Sequence, residues 1–237
     1  MVDILEKAKK VTIVGAARSG IAAAKLLKKK GFEVFLSDAG DISGIDHEIL
    51  ENIRNYGIEH EFGAHSDKVY DADVVVVSPG VPQNSKVIQN SLEKGIEVVS
   101  EIEAASWYCK GKVIAITGTN GKTTTTTLIG EIFKDAGYKT FVCGNIGIAF
   151  SDIVEQTDES SIVVLETSSF QLDNIRKFKP FIAIMLNVTP DHLDRYESFE
   201  KYLESKMRIA ENQNESDYFV FNYDDELVRN SSKSVHS

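Results

Sequence analysis

Short runs of β-branched and apolar residues alternate with helix-like stretches along almost the whole chain, and this alternation limits the fold more than any other feature. Strands are predicted near 11–14, 33–37, 58–62, 73–77 and 96–99, with helices near 19–30, 46–56, 84–94 and 101–108. After Gly111 the pattern restarts, with strands near 112–116, 139–142, 161–165, 181–186 and 217–221. Helices near 122–136, 147–155, 198–211 and 224–231 lie between or after them. Such alternation implies parallel sheets with helices on both faces, because a parallel strand pair needs a long crossover. Each series opens with a strand and a glycine turn. Two domains are therefore expected, 1–108 and 109–237, meeting near Lys110-Gly111-Lys112.

The second series opens with Ile114-Ala-Ile-Thr117-Gly118-Thr119-Asn120-Gly121-Lys122-Thr123-Thr124. A strand feeding a glycine loop and a helix wraps a polyphosphate: backbone N–H groups and the helix N-terminus face the anion. Lys122 would reach the β- and γ-phosphates, and the Thr123 hydroxyl would hold Mg²⁺. The match to G-x-x-x-x-G-K-[ST] is imperfect, since Ile116 occupies the first glycine position and glycine use begins at Gly118. Thr123 to Thr127 form an unbroken threonine run. Threonine costs roughly 0.5 kcal/mol against alanine inside a helix. Thr125 to Thr127 lie beyond the first turn, so packing or ligand contacts are expected to offset that cost.

The first series opens with Val11-Thr-Ile-Val14-Gly15-Ala-Ala-Arg18-Ser19-Gly20. This is close to the dinucleotide fingerprint, but Ala17 replaces the glycine that lets backbone approach a pyrophosphate. Asp38 follows the second strand, where an acidic residue holds a ribose hydroxyl in that fingerprint. Three readings stand: NAD, another nucleotide at the same strand ends, or a turn without a ligand. Ser78-Pro79-Gly80 forms a second loop at that edge.

The net charge of −10 has the wrong sign for the phosphate-neutralising term that drives nucleic-acid binding. The N-terminus lacks the apolar core of a signal peptide, and runs such as Val74 to Val77 are far short of a membrane span. Cys109 and Cys143 have no metal-ligand spacing and are expected to be buried, reduced thiols. A cytoplasmic protein without nucleic-acid or membrane partners is expected.

Three further segments carry chemistry. Val163-Val-Leu-Glu166-Thr-Ser-Ser-Phe-Gln171-Leu puts an acid at a strand end, where a Mg²⁺ ligand is needed. Asn187-Val-Thr-Pro-Asp191-His192-Leu-Asp194-Arg195-Tyr196 sets a histidine among carboxylates, and Tyr202-Leu-Glu-Ser-Lys206 places a lysine in the following helix. With the Gly118–Thr124 loop, these segments resemble the Mur ligase family of peptidoglycan synthesis, over residues 8 to 228 or so. The forms Glu166-Thr-Ser-Ser-Phe-Gln-Leu and Thr189-Pro-Asp-His-Leu-Asp-Arg-Tyr196 look most like its D-glutamate-adding branch, and the Gly15–Gly20 turn fits the same branch.

The resemblance implies a Rossmann-like parallel-sheet domain for a uridine nucleotide, then a P-loop NTPase-like α/β domain for ATP, incomplete at its C-terminal end. By motif, Arg18, Ser19, Asp38, Ser78 and Gly80 would line the UDP site. Asn145 would contact the sugar–peptide end of UDP-N-acetylmuramoyl-L-alanine. Gly118, Thr119, Asn120, Gly121, Lys122, Thr123 and Thr124 would hold ATP. Thr123 and Glu166 would hold one Mg²⁺; His192 and Lys206 would serve a second. Lys122, His192 and Lys206 are the catalytic candidates. An ammonium has the wrong charge for a metal site, and the resemblance implies that Lys206 is carbamylated by CO₂, which needs a neutral amine. A surface salt bridge is the other reading of Lys206.

Full-length members carry a third domain that binds the incoming amino acid. Nothing in residues 1–237 corresponds to it, so the D-glutamate site is expected to be absent from this chain, which alone should have little ligase activity. The alternatives are a sister ligase adding another amino acid, a folylpolyglutamate synthase, and a non-catalytic nucleotide-binding module. Residues 1–105 argue against the second, because that enzyme lacks a leading uridine-nucleotide domain.

Overall fold

A computed structural model describes residues 8–191 and 195–235. The chain folds into two compact units, 1–105 and 106–237. In the first, β1 (Lys10–Val14), β2 (Glu33–Asp38), β3 (Glu59–Phe62), β4 (Val74–Val77) and β5 (Glu97–Ser100) form one parallel sheet in the order β3-β2-β1-β4-β5. Helices α1 (Arg18–Lys29), α2 (His47–Asn55), α3 (Lys86–Glu93) and α4 (Glu101–Ser106) connect or follow the strands. The order reverses at β1, leaving a crevice at the C-terminal ends of β1, β2 and β4. Ligands of open α/β sheets bind at such a reversal.

In the second unit, β6 (Lys112–Thr117), β7 (Thr140–Gly144), β8 (Ile162–Glu166), β9 (Ile182–Met185) and β10 (Tyr218–Phe221) run parallel in the order β10-β9-β6-β8-β7. The helices are α5 (Lys122–Asp135), α6 (Phe150–Ile153), α7 (Ser169–Leu172), α8 (Phe199–Met207) and α9 (Glu226–Ser231). The parallel α/β class expected from the alternation holds in both units.

Strands buried on both faces read as continuous apolar runs, and Val74–Val77 is one, each residue at most 3% exposed. Ile129 and Phe133 of α5 pack over Ile114, Ile116, Ile162 and Val164 on one face of the second sheet. Met185, Val188, Tyr202 and Val228 pack on the other. Side chains cap several helices: Asp46 accepts from Glu48 N–H at the start of α2, and Asp225 accepts from Leu227 and Val228 N–H at α9.

Two local expectations change. The helix predicted over 147–155 shrinks to α6 and a 3₁₀ turn over Val154–Gln156. Gly147 takes φ +59° and Ile148 forms a bridge with Cys143, so the preceding residues belong to the sheet edge. Of Thr125 to Thr127 only Thr126 is buried, and its hydroxyl has no hydrogen-bond partner among the described residues. Packing at one position, not along the run, offsets the helix cost. Cys143 is buried, whereas Cys109 is half-buried. Among the described residues no helix is long and apolar enough to cross a membrane.

Candidate functional site

In the first unit the turn after β1 depends on two glycines. Gly15 has φ +99°, a conformation that side chains disfavour. A Cβ on Gly20 would stand 1.9 Å from the Gly15 carbonyl oxygen, so only glycine lets α1 start against the turn. Ser78 ties the loop after β4 to this turn: its hydroxyl donates to Gly15 O at 2.8 Å and its N–H to Val14 O at 2.9 Å. Asp38, ending β2, accepts from Ala16 N–H at 2.5 Å and Gly40 N–H at 2.6 Å, bracing the turns on both sides of the crevice. A cavity of about 430 Å³ results. Its walls include Gly15, Ala17, Asp38, His65, Ser78 and Gly80, with Lys86 at the start of α3.

Asp38, Ser78 and Gly80, three residues expected from sequence, thus share one cavity. Arg18 and Ser19 do not line it; they form the first turn of α1, with Arg18 exposed. Ala17 gives that helix no side-chain cap. His65 and Lys86 were not foreseen. They lie in a loop and at a helix start, and only tertiary packing brings them to β1.

In the second unit the glycine loop has a left-handed residue at each end, Gly118 with φ +153° and Gly121 with φ +82°. A Cβ on Gly118 would meet Leu186 Cβ at 3.0 Å. The segment after β9 is stitched to the loop: Thr119 N–H donates to Asn187 O at 3.0 Å, Asn120 N–H to Asn187 Oδ1 at 2.9 Å, and Thr189 N–H to Thr119 Oγ1 at 3.1 Å. Asn187 opens one of the quoted motifs, yet no role was read for it.

Strand order brings the acid to the loop. β8 lies beside β6 with Glu166 opposite Ile116, so Glu166 ends its strand next to the start of α5. It is 1% exposed. Thr123 Oγ1 donates to Glu166 Oε2 and Asn145 Nδ2 to Glu166 Oε1, both at 2.9 Å. Thr123, Asn145 and Glu166 therefore meet as expected residues of one cluster. Two lysines converge on the carbonyls of the loop. Lys122 Nζ donates to Gly118 O and Thr119 O at 3.0 Å, and Lys206 Nζ donates to Gly118 O at 2.9 Å. Lys206 is 2% exposed, with its ammonium 4.5 Å from the centre of the Tyr202 ring. Burial, helped by the nearby Lys122 charge, lowers its pKa to about 7 against the partial opposition of Asp191 and Asp173. The surface salt bridge reading of Lys206 is thereby corrected: the side chain is interior.

The motif residues pack on one another around this lysine. Arg195 lies 4.5 Å over the Phe170 ring, and Tyr196 stacks on Phe170 and donates to Asp173 Oδ2 at 2.9 Å. The short helix α7 was not foreseen, although Ser168 and Gln171 form the S-x-x-Q capping box that announces one. His192 lies outside the described residues.

Thr123 and Glu166 suit magnesium: a hydroxyl and a carboxylate supply hard oxygen donors on one side, leaving the remaining positions to phosphate and water. Among the described residues no group of three or more His, Cys, Asp or Glu forms a closed metal cage.

A glycine loop of this geometry, on a parallel sheet with a carboxylate beside its threonine, defines a P-loop-type α/β unit, here joined to a Rossmann-like unit. The chain belongs to the Mur ligase family: residues 116–237 match the Mur ligase middle domain, and residues 10–87 match the MurD N-terminal domain. It is 50% identical over 232 residues to a UDP-N-acetylmuramoylalanine--D-glutamate ligase of Salinibacter ruber, covering 95% of this chain and 50% of that protein. An enzyme of the same name from Geobacter sp. is 46% identical over 223 residues, covering 94% and 49%. The chain spans about half the length of the curated relatives it matches. The crystal structure of UDP-N-acetylmuramate-alanine ligase MurC from Thermotoga maritima matches with a TM-score of 0.55 at 26% identity, covering 94% of this chain and 51% of that one. The Neisseria meningitides UDP-N-acetylmuramate:L-alanyl-gamma-D-glutamyl-meso-diaminopimelate ligase matches with a TM-score of 0.64 at 18% identity, covering 96% and 75%, and shares the fold.

Proposed function

We propose that this chain is the nucleotide-binding part of a ligase that joins D-glutamate to UDP-N-acetylmuramoyl-L-alanine at the expense of ATP. The observation that supports this most is the convergence of Lys122 and Lys206 on Gly118 O, with the Thr123–Glu166 pair across the same loop. The first unit, 1–105, would hold the uridine nucleotide and the second, 106–237, ATP, close to the division at 108/109 expected from sequence. In that reading Asp38 meets the uracil edge, Ser19 and Gly80 meet the diphosphate, Arg18 and Ser78 line the same UDP site, and Asn145 meets the sugar–peptide end.

Gly118 to Thr124 would wrap the ATP phosphates, with Lys122 leaving its loop carbonyls for the γ-phosphate. Mg²⁺ held by Thr123 and Glu166 would supply positive charge to the β- and γ-phosphate oxygens. The alanyl carboxylate attacks the γ-phosphorus; its O–P bond forms as the bond to the ADP oxygen breaks, giving an acyl phosphate. The D-glutamate amine then attacks the acyl carbon, an amide forms and inorganic phosphate leaves. Lys206, whose pKa burial lowers to about 7 so that a large share of the amine is unprotonated near neutrality, would take up CO₂ as a carbamate, and His192 would join it at a second Mg²⁺. No residue of this chain is assigned to the amino-acid site, so residues 1–237 alone are expected to bind without completing the ligation.

Calorimetric titration with UDP-N-acetylmuramoyl-L-alanine, with NAD as control, tests the substrate class. Saturable binding of the first alone is expected. Binding of NAD instead, or of neither ligand by the folded chain, refutes it.

A further inference from the structure

His65 stands in the loop after β3, half-buried on the wall of the cavity that also holds Asp38. Its Nδ1 is 2.7 Å from Ser37 Oγ, and that hydroxyl donates to Glu61 Oε1 at 2.6 Å. Glu61 Oε1 also accepts from Ser66 N–H at 2.9 Å, which ties the loop carrying His65 to β3. Burial alone would raise the Glu61 carboxyl, but the hydrogen bonds from Ser37 and Ser66 outweigh it and hold the group below the ordinary carboxylate range. Glu61 is therefore ionised at neutral pH and can only accept. Ser37 is fully buried, with its one proton committed to Glu61. At Nδ1 the Ser37 oxygen can only accept, so the imidazole carries its proton there.

The other ring nitrogen, Nε2, is left as an acceptor. None of the described residues hydrogen-bonds it. The charged groups facing the ring are Glu61 and Asp38; burial outweighs their pull and holds the imidazole below its ordinary value of 6.5. The ring is neutral at pH 7. Asp38, on the same wall, presents carboxyl oxygens that already accept from Ala16 and Gly40 N–H and is also an acceptor. Two acceptors on one wall call for a ligand that brings donors, which a uridine provides through its ring N–H and ribose hydroxyls.

We propose that His65 is a nucleoside-reading residue of the first unit, accepting through Nε2 a hydrogen bond from the ring N–H or a ribose hydroxyl of the bound nucleotide. The Ser37–Glu61 relay is its tautomer lock. This rests on the uridine-nucleotide reading of the cavity. The test is calorimetric titration of UDP and 2′-deoxy-UDP into the wild-type chain and the H65L and H65Q variants, with folding checked by circular dichroism. H65L should bind UDP about five- to tenfold more weakly, the scale of one hydrogen bond between neutral groups. H65Q puts an amide oxygen near the Nε2 position and should recover most of that loss. The ratio of wild-type to H65Q affinity should fall as acid protonates Nε2, and ¹⁵N NMR should show the Nδ1–H tautomer. Normal 2′-deoxy-UDP binding that still depends on His65 supports the proposal with the base N–H as donor; a loss that H65L makes redundant supports it with the ribose hydroxyl. Wild-type affinity in H65L, or an Nε2–H tautomer, overturns the role of His65 alone. Absence of UDP binding by the folded wild-type chain overturns the nucleotide reading, and this role with it.

Discussion

Replacing Lys206 with methionine should change how the stability of the second unit depends on pH. The lysine is 2% exposed, makes one hydrogen bond among the described residues, to Gly118 O at 2.9 Å, and has its pKa lowered from 10.5 to about 7. Between those values the unfolded chain holds a proton that the folded chain does not. Stability therefore rises with pH across this window, by about 1.4 kcal/mol per unit from this residue. Below pH 7 both states are protonated, and the folded state bears the full penalty of a buried ammonium. From pH 7 to 10 the recovery amounts to about 4 kcal/mol. Methionine has similar length and does not titrate. It forfeits the hydrogen bond, a constant loss of about 1 kcal/mol, while Gly118 O keeps Lys122 as a donor. Relative to wild type, K206M should be most stable near pH 7 and lose that advantage steadily towards pH 10. The assay is urea unfolding in CO₂-free buffers, followed by the fluorescence of Trp107, the chain's single tryptophan, which lies in this unit. Taking the difference between variant and wild type cancels the other titrating groups. A difference flat in pH would mean that Lys206 titrates normally, and the argument for a carbamylation-ready amine would fail.

Three other outcomes follow from packing and charge. Thr126→Val removes a buried hydroxyl without a partner among the described residues and should stabilise the second unit by about 1 kcal/mol; a lower urea midpoint would contradict this. Gly20→Ala drives a methyl against Gly15 O, which the Ser78 hydroxyl holds in place, and should destabilise the first unit by about 1–3 kcal/mol or more. An unchanged midpoint would show that the turn can move. Glu166→Gln keeps the shape but halves the oxygen donors beside Thr123. The enhancement of ATP binding by Mg²⁺ should drop at least tenfold, the scale of a lost charged partner; equal enhancement in the variant would remove Glu166 from the metal site.

Among the described residues the central strands were legible because a buried parallel strand writes its own pattern, as Val74–Val77 and Val163–Leu165 do, without reference to partners. The two glycine turns were equally local: Gly15, Gly118 and Gly121 need conformations that few other residues tolerate, and glycine marks them wherever the fold goes. Lys122 and Thr123 came with the loop. The short helix α7 was also written locally, in Ser168 and Gln171, and was overlooked. Residues 147–149 misled because a helix-like stretch next to a sheet edge can be claimed by the sheet.

What remained depended on pairs far apart in the chain. The parallel pairing of β8 with β6 sets Glu166 beside Thr123, 43 residues away, and no periodicity records which strands become neighbours. Lys206 reads as an ordinary helix cation until α8 packs it beneath Gly118, where burial changes its chemistry. His65, Ser37 and Glu61 have no common motif; they meet because β2 and β3 pair in register and the following loop folds over their ends. By itself, the sequence determined the strands, the turns and the phosphate loop, since backbone conformation and burial pattern are encoded residue by residue. Only the tertiary structure decided which charges share a dielectric environment and which donors meet which acceptors, because those energies belong to contacts between distant segments.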